Sequence, residues 1–375
     1  MQDGETNEDK MQEPEGHTAS RKEGGTARSR RVPRAVKISV ALLLVLIAAG
    51  AAAWAWISSL GAEMSLGAEE RNELEDVLVE PAQSEQQEAF YTLIIGSDSR
   101  GDGAASRSDT IILARVDISA ARITLVSIPR DTMVYGEDGS LEKINAAYND
   151  GPASTVRAVS EFAGVDIAHY IEVDFRGLEQ IVDALGGVRV TIPEDISAGN
   201  GGMAFSAGEQ VLTGEQAFAY ARERYTVSGG DFGRARAQRQ IAEAIISQVL
   251  ASGPTEIPGI VSMLAQSIGT DLAPTDIISY ALSLQGSGQP LTTYSTVAPS
   301  YALNQDGVSY VATMYDEWRA VMQRVDAGLD PSDASVAVPA EQIANERLGS
   351  AANAAGPRDY AGLAAGSGLT TADAR

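Results

Sequence analysis

The chain has 375 residues, 44% of them hydrophobic and 21% charged, which is enough apolar material for a sizeable core and rules out wholesale disorder. It contains no cysteine and only two histidines, His17 and His169, so disulfides, thiolate chemistry and multi-histidine metal centres are excluded. A net charge of −23 repels nucleic acid, and no nucleic-acid partner is expected.

The charge is segregated along the chain. Residues 1–37 are polar and predict a disordered cytoplasmic tail, whose Ser20–Lys37 portion carries seven basic residues and one acidic. Ile38–Leu60 carries no charge; as a helix it would be about 34 Å long, enough to cross a bilayer core of about 30 Å. Trp54 and Trp56 near its distal end suit the headgroup layer. The basic side stays inside, so this piece predicts a single-pass anchor in the cell membrane with the rest of the chain outside. A cleaved signal peptide, with Ala51-Ala52-Ala53 at its cut, and a buried soluble helix are the alternatives; the stretch is longer than a usual signal core. Residues 61–87 predict an acidic linker, with a helical piece around Glu69–Leu78.

Beyond the linker the apolar period keeps switching. Tyr91–Gly96 reads as a buried strand, and Thr110–Val116 with Arg122–Ile128 as a hairpin. Ala153–Phe162 reads as a helix and Tyr170–Val173 as a strand. Phe175–Leu185 has one apolar helical face stopped by Gly186-Gly187, and Val188–Ile192 follows as a strand. Gln238–Leu250 carries two adjacent apolar stripes at i, i+4, i+8. This alternation predicts an α/β fold, a layered αβα domain with a central mixed β-sheet, over residues 88–325 and ending with the amphipathic stretch Tyr310–Val325. Residues 326–375, rich in Ala, Gly, Ser and Asp without periodicity, predict a disordered tail.

Four charged clusters fall at strand ends, where open α/β sheets bind ligands. They are Gly96–Arg100, Arg107–Thr110, Ile128–Thr132, and a long one from Tyr220 through Arg234 to Gln238, Arg239 and Gln240. Between Arg222 and Arg239 five arginines face two acids, a local +3 in an acidic chain. Guanidinium forks match phosphate oxygens two at a time. Asp98 and Asp109 with phosphate oxygens make an oxygen-only site suited to Mg²⁺ or Mn²⁺. Together these describe phosphoryl transfer. Each cluster alone could be a turn with a surface ion pair, and Lys143-Ile144-Asn145 could be the capped start of a helix. His169 has no serine or carboxylate motif nearby and reads as structural.

Taken in order, GSDSR at Gly96–Arg100, RSDT at Arg107–Thr110, SIPRDT at Ser127–Thr132, KINAAY at Lys143–Tyr148, DFRGLEQIVDALGGVRV at Asp174–Val190, LTGEQAFAYARER at Leu212–Arg224 and GDFGR at Gly230–Arg234 resemble the LytR–CpsA–Psr family of cell-envelope proteins. The resemblance implies an extracytoplasmic phosphotransferase that moves a glycopolymer from a polyprenyl diphosphate carrier onto peptidoglycan through a phosphodiester. It implies Asp98 and Asp109 as metal ligands. It implies Arg130, Arg222, Arg224 and Arg234, with Arg100 and Arg107, as the diphosphate clamp, and Asp231 as the group that orients or deprotonates the attacking hydroxyl. Lys143, Asn145, Gln238 and Arg239 are further substrate-binding candidates. The family commonly continues with Arg-Gln-Gln where this chain has Gln238-Arg239-Gln240 after Arg236; one place on a helix is a turn of about 100°, so Arg239 need not point where the usual arginine does. The lipid is expected in an apolar groove between helices and sheet. A polyprenyl diphosphate phosphatase using the same site, and a non-catalytic lipid-binding envelope protein, are the competing readings.

Overall fold

The structure, a computed structural model, describes residues 66–80, 89–97, 108–265 and 267–358. It opens with α1 (Ala68–Glu75), followed by β1 (Ala89–Ser97), β2 (Ser108–Asp117) and β3 (Arg122–Ser127). The β2–β3 hairpin pairs antiparallel from Asp117↔Arg122 to Ile112↔Ser127, as the two apolar runs predict. β1 pairs antiparallel with β2, and a Cβ on Gly96 would lie 2.8 Å from Cβ of Thr110, so the two strands close on each other only with glycine there.

A small hairpin, β4 (Met133–Tyr135) and β5 (Leu141–Lys143), leads through a 3₁₀ turn (Ile144–Asp150) into α2 (Pro152–Ala163). Proline occupies the first turn of α2 and Gly164, at φ 69°, ends it. β6 (Ile167–Asp174) then runs parallel to β1. Asp174 caps α3 (Phe175–Ala184) by accepting from Gly177 N at 2.5 Å. The hairpin β7 (Val188–Ile192) and β8 (Gly208–Leu212) precedes α4 (Gly214–Arg222), which opens on a Thr213–Gln216 capping box. The long helix α5 (Asp231–Ala251) follows, then α6 (Ile257–Leu264), β9 (Ile268–Thr270), α7 (Pro274–Gly286), β10 (Thr292–Val297), the hairpin β11 (Ser300–Gln305) and β12 (Val308–Thr313), α8 (Tyr315–Asp326) and the short α9 (Ala340–Ala344).

The central sheet has the order β10-β3-β2-β1-β6-β9 and mixes parallel and antiparallel neighbours. Side chains alternate across it. Leu93, Ile95, Leu113 and Val126 pack on one face with Val159, Phe162, Trp318 and Met322 from α2 and α8. Ile112, Ala114, Ile123 and Leu125 meet Leu284, Ala242 and Ile246 from α7 and α5 on the other. The expected αβα layering is therefore present. The expected anchor at 38–60, the tail at 1–37 and the last seventeen residues of the expected C-terminal tail lie outside the described residues. Among the described residues no helix is long and apolar enough to cross a membrane.

Two boundaries differ from the sequence reading. The 61–87 segment is not simply a stalk: Leu74 of α1 is fully buried, Leu66, Val77 and Leu78 pack beside it, and Val79 N donates to Ile167 O at 3.0 Å. Residues 326–358, expected to be disordered, are folded onto the domain. Leu348, Ala351 and Ala354 join the core, Gly349 N donates to Ala163 O and Ala355 N to Met133 O. The chain passes so close over the end of α2 that a Cβ on Gly164 would lie 1.6 Å from Arg347 O. Alanines and glycines bury without an apolar period, so their packing is invisible to a periodicity argument. The Tyr310–Val325 stretch is split between the end of β12 and α8.

Candidate active site

The first wall of the site is the turn after β3. Thr132 N and Oγ1 both bond to Pro129 O, at 3.0 and 2.6 Å, which closes the turn at Arg130. Asn145 N donates to Arg130 O at 3.2 Å and Lys143 Nζ pairs with Asp131 Oδ1 at 3.1 Å. Lys143 and Asn145 thus back the Arg130 turn rather than line the cleft. Arg130 Nη1 donates to Asp109 Oδ1, joining the turn to the start of β2.

The second wall is the first two turns of α5. Asp231, Arg234 and Gln238 stand at i, i+3 and i+7, one helical face, and with Asp109, Thr110, Ser127 and Arg130 they line one cleft. Arg234 Nη2 pairs with Asp231 Oδ1 at 2.7 Å and is 7% exposed. Burial pushes the Arg234 guanidinium below its ordinary value; Asp231 and Asp109 work to raise it, and the charges of Arg130 and Arg224 lower it further. Arg224 is held above its ordinary value by the hydroxyl of Tyr225, with Asp231 and Asp131 adding to the effect. Two remote segments therefore bring Arg130, Arg224 and Arg234 within electrostatic reach of one another.

Arg222 sits elsewhere, exposed at the end of α4 with its guanidinium over the rings of Phe218 and Phe175, at 5.1 and 5.9 Å. Phe175 lines a second feature, an apolar cavity of about 360 Å³ between the sheet and α3, α5 and α7. Thr92, Ile94, Ile112, Ala114 and Val116 form its floor, and Ile241, Ile245, Ala281 and Leu284 are among its roof residues. Thr110 and Gln238 line both the cavity and the charged cleft, so the two adjoin. Phe90 and Tyr280 line the cavity where β1 begins. His169 stands beside them, accepting or donating at Asp271 (2.9 Å) and Tyr280 (3.1 Å); the carboxylate that the local sequence lacked comes from residue 271.

Arg239 does not reach the cleft. Its Nε donates to Ser295 Oγ of β10 at 3.0 Å, and burial pushes its guanidinium down to about 10. Arg236 pairs instead with Glu194 at 3.3 Å. Asp98, Arg100 and Arg107 lie outside the described residues. Among the described residues no three His, Asp or Glu side chains gather to hold a metal, and Asp109 is the described member of the expected pair. Sequence reasoning passed over Glu223, which is fully buried between Arg222 and Arg224, and Asn200, which bonds to the backbone of both arginines.

Comparison with known proteins places the chain in a family. The LytR_cpsA_psr family model matches residues 57–325. A Halalkalibacterium halodurans protein named polyisoprenyl-teichoic acid–peptidoglycan teichoic acid transferase TagU is 42% identical over 191 residues, half of this chain and 62% of that one. The Enterococcus faecalis protein of the same name is 32% identical over 64% of this chain and 79% of its own length. The crystal structure of Bacillus subtilis TagV superposes with a TM-score of 0.53 at 31% identity, covering 60% of this chain and 91% of that one.

Proposed function

Because the chain belongs to the LytR–CpsA–Psr family, we propose that it transfers a phosphate-linked glycopolymer from a polyprenyl diphosphate carrier to a hydroxyl of peptidoglycan. The observation that carries this reading is the junction at Thr110 and Gln238 between an arginine-lined cleft and an apolar cavity. A prenyl diphosphate has that same division, a charged head joined to a hydrocarbon tail. The cavity takes part of the tail by apolar burial. Arg130 and Arg234, with Arg224 beside them, take the diphosphate oxygens.

In the proposed reaction a sugar hydroxyl attacks the phosphorus that bears the glycopolymer. A new P–O bond joins that glycopolymer phosphate to the acceptor as a phosphodiester, and the bridging P–O bond breaks to release polyprenyl monophosphate. The hydroxyl proton passes to Asp231, whose carboxylate faces the cleft and is kept in place by Arg234. The arginines stabilise charge on the phosphoryl oxygens and the leaving group. Asp109 offers the oxygen-donor chemistry of a Mg²⁺ or Mn²⁺ site, and Asp98 follows Ser97, whose register partner Ser108 precedes Asp109. A divalent ion held by that pair would neutralise phosphate charge. Membrane anchorage through residues 38–60, with the catalytic domain outside the cell, belongs to the same proposal and rests on the charge bias of the flanks.

The test uses the full chain in detergent with a prenyl diphosphate-linked oligosaccharide, Mg²⁺ and a peptidoglycan glycan. A glycan–phosphate–peptidoglycan conjugate formed together with prenyl monophosphate is the expected result. Release of glycan phosphate without conjugate replaces the transferase by a hydrolase, and absence of either product leaves the lipid-binding reading.

A further inference from the structure

The arginine turn is held from beneath by a residue to which the reaction above gives no role. α4 ends at Arg222, and Glu223 follows in extended backbone, φ −70° and ψ 127°. Successive side chains of an extended segment point to opposite sides. Glu223 accordingly turns inward and is fully buried, while Arg222 and Arg224 turn outward. Its Oε2 accepts from Gly201 N at 2.9 Å, and its Oε1 accepts from Tyr225 N and Thr226 N at 2.9 and 3.1 Å. Burial works to raise this carboxyl, but those N–H groups bring it below its ordinary value, so the anion is the bound form.

The loop on the other side is shaped to fit. Asn200 Nδ2 donates to Arg222 O at 2.6 Å, and Asn200 Oδ1 accepts from Arg224 N at 3.1 Å, so one side chain bridges the backbones of both arginines. Thr226 Oγ1 donates to Ser197 O at 2.7 Å. A Cβ on Gly199 would lie 2.5 Å from Glu223 Oε1, and one on Gly201 would lie 2.2 Å from Ala219 O. The two glycines let the loop approach closely enough to donate to the buried carboxylate.

We propose that Glu223, assisted by Asn200, is the positioning residue of the diphosphate site, fixing the backbone from which Arg224 projects. The proposal rests on the function inferred above for what Arg224 binds. The backbone clasp itself does not depend on it. Preorganised donors stabilise developing phosphate charge without reorganising at the moment of reaction. A turn whose N–H groups lost their acceptor would have to be reordered each time a ligand bound.

The test compares Glu223→Gln, Asn200→Ala and Arg224→Ala with the wild-type full chain. Gln keeps the shape of Glu223, but N–H groups approach both carboxylate oxygens, so either orientation of the amide leaves a donor facing a donor. Hydrogen exchange should speed up at the amides of Gly201, Arg224, Tyr225 and Thr226 while the central strands keep their protection. Calorimetric binding of farnesyl diphosphate should weaken about tenfold in Glu223→Gln, approaching Arg224→Ala, and the Gln change should cost less than about twofold once Arg224 is already Ala. Unchanged exchange at those amides, unchanged farnesyl diphosphate affinity, or an equal loss in the Arg224→Ala background overturns the proposal. If Glu223→Gln fails to fold, Asn200→Ala, at an exposed position, carries the same readouts. A wild-type chain that does not bind farnesyl diphosphate sinks the functional reading, and the exchange measurement still decides on the clasp.

Discussion

Asp231 and Arg234 stand one helical turn apart at the start of α5 and pair at 2.7 Å, so the proposed base and one of the proposed phosphate ligands hold each other. Asp231→Asn keeps the size of the side chain and removes the proton acceptor. The expected result is a fall in kcat of about 10²–10⁴-fold with little change in binding of farnesyl diphosphate. A fall in affinity with kcat unchanged would make Asp231 a holder of Arg234 and not a base. Arg234→Ala should instead weaken binding, because a buried guanidinium aimed at the cleft is lost.

The apolar cavity makes its own prediction. Ala242 projects from α5 into the space between α5, α7 and the sheet. Ala242→Phe should fill part of that space without creating a void, so melting temperature should hold or rise. Farnesyl diphosphate should bind about tenfold more weakly, because burial of about two methylenes is lost at roughly 0.8 kcal/mol each. Inorganic diphosphate should bind as before. Equal losses for both probes would mean that the cavity does not take the hydrocarbon.

Much of this was legible in the sequence because the local signals agreed. β1, the β2–β3 hairpin, α3 and the body of α5 all carried apolar periods that matched their state. That Asp109, Arg130, Asp231, Arg234 and Gln238 belong to one site was expected from charged clusters at strand ends and from the family resemblance; that the last three share one helical face emerged only in the structure. The roles of Glu223 and Asn200 were not legible, because they lie in hydrogen bonds between segments some 22 residues apart; in the sequence Glu223 is only one of two acids among the arginines, and Asn200 belongs to no charged motif. Arg239 is one step of about 100° around α5 from Gln238, and that step turns it to Ser295 beneath the helix. The C-terminal segment was missed for a third reason, since apart from Leu348 its core contacts are made by alanines and backbone hydrogen bonds, which carry no apolar period.

That segment is expected to be part of the stability of the domain. Leu348 is 2% exposed in the core, against the layer where Trp318 stacks on Phe162 and donates Nε1–H to Phe162 O at 2.9 Å. Leu348→Ala should cost about 2–5 kcal/mol in urea unfolding. Arg324 also ties the segment down by donating to the carbonyls of Asp330, Val336 and Asp333. A chain truncated after Asp326 should therefore unfold at lower urea than the full chain. Equal midpoints for both would show the segment to be an ornament on an independently stable fold.

The acid limb of stability gives a check on Glu223 that needs no substrate. Its carboxyl lies below its ordinary value in the folded chain, held there by amide donors against the opposing effect of burial. A carboxyl with a depressed folded pKa contributes stability that is fully present above its unfolded value, about 4.3, and that is lost as pH falls through the folded value. Melting temperature should therefore be insensitive to this group from pH 7 to 5 and should drop below about pH 4.3 as the carboxylate is protonated. Glu223→Gln begins less stable at neutral pH, but it has no proton to gain, so its curve should fall less steeply through the acid range. Identical acid slopes for the two chains would mean that other carboxylates with depressed values, such as Asp117, govern the acid limb and that Glu223 contributes nothing to it.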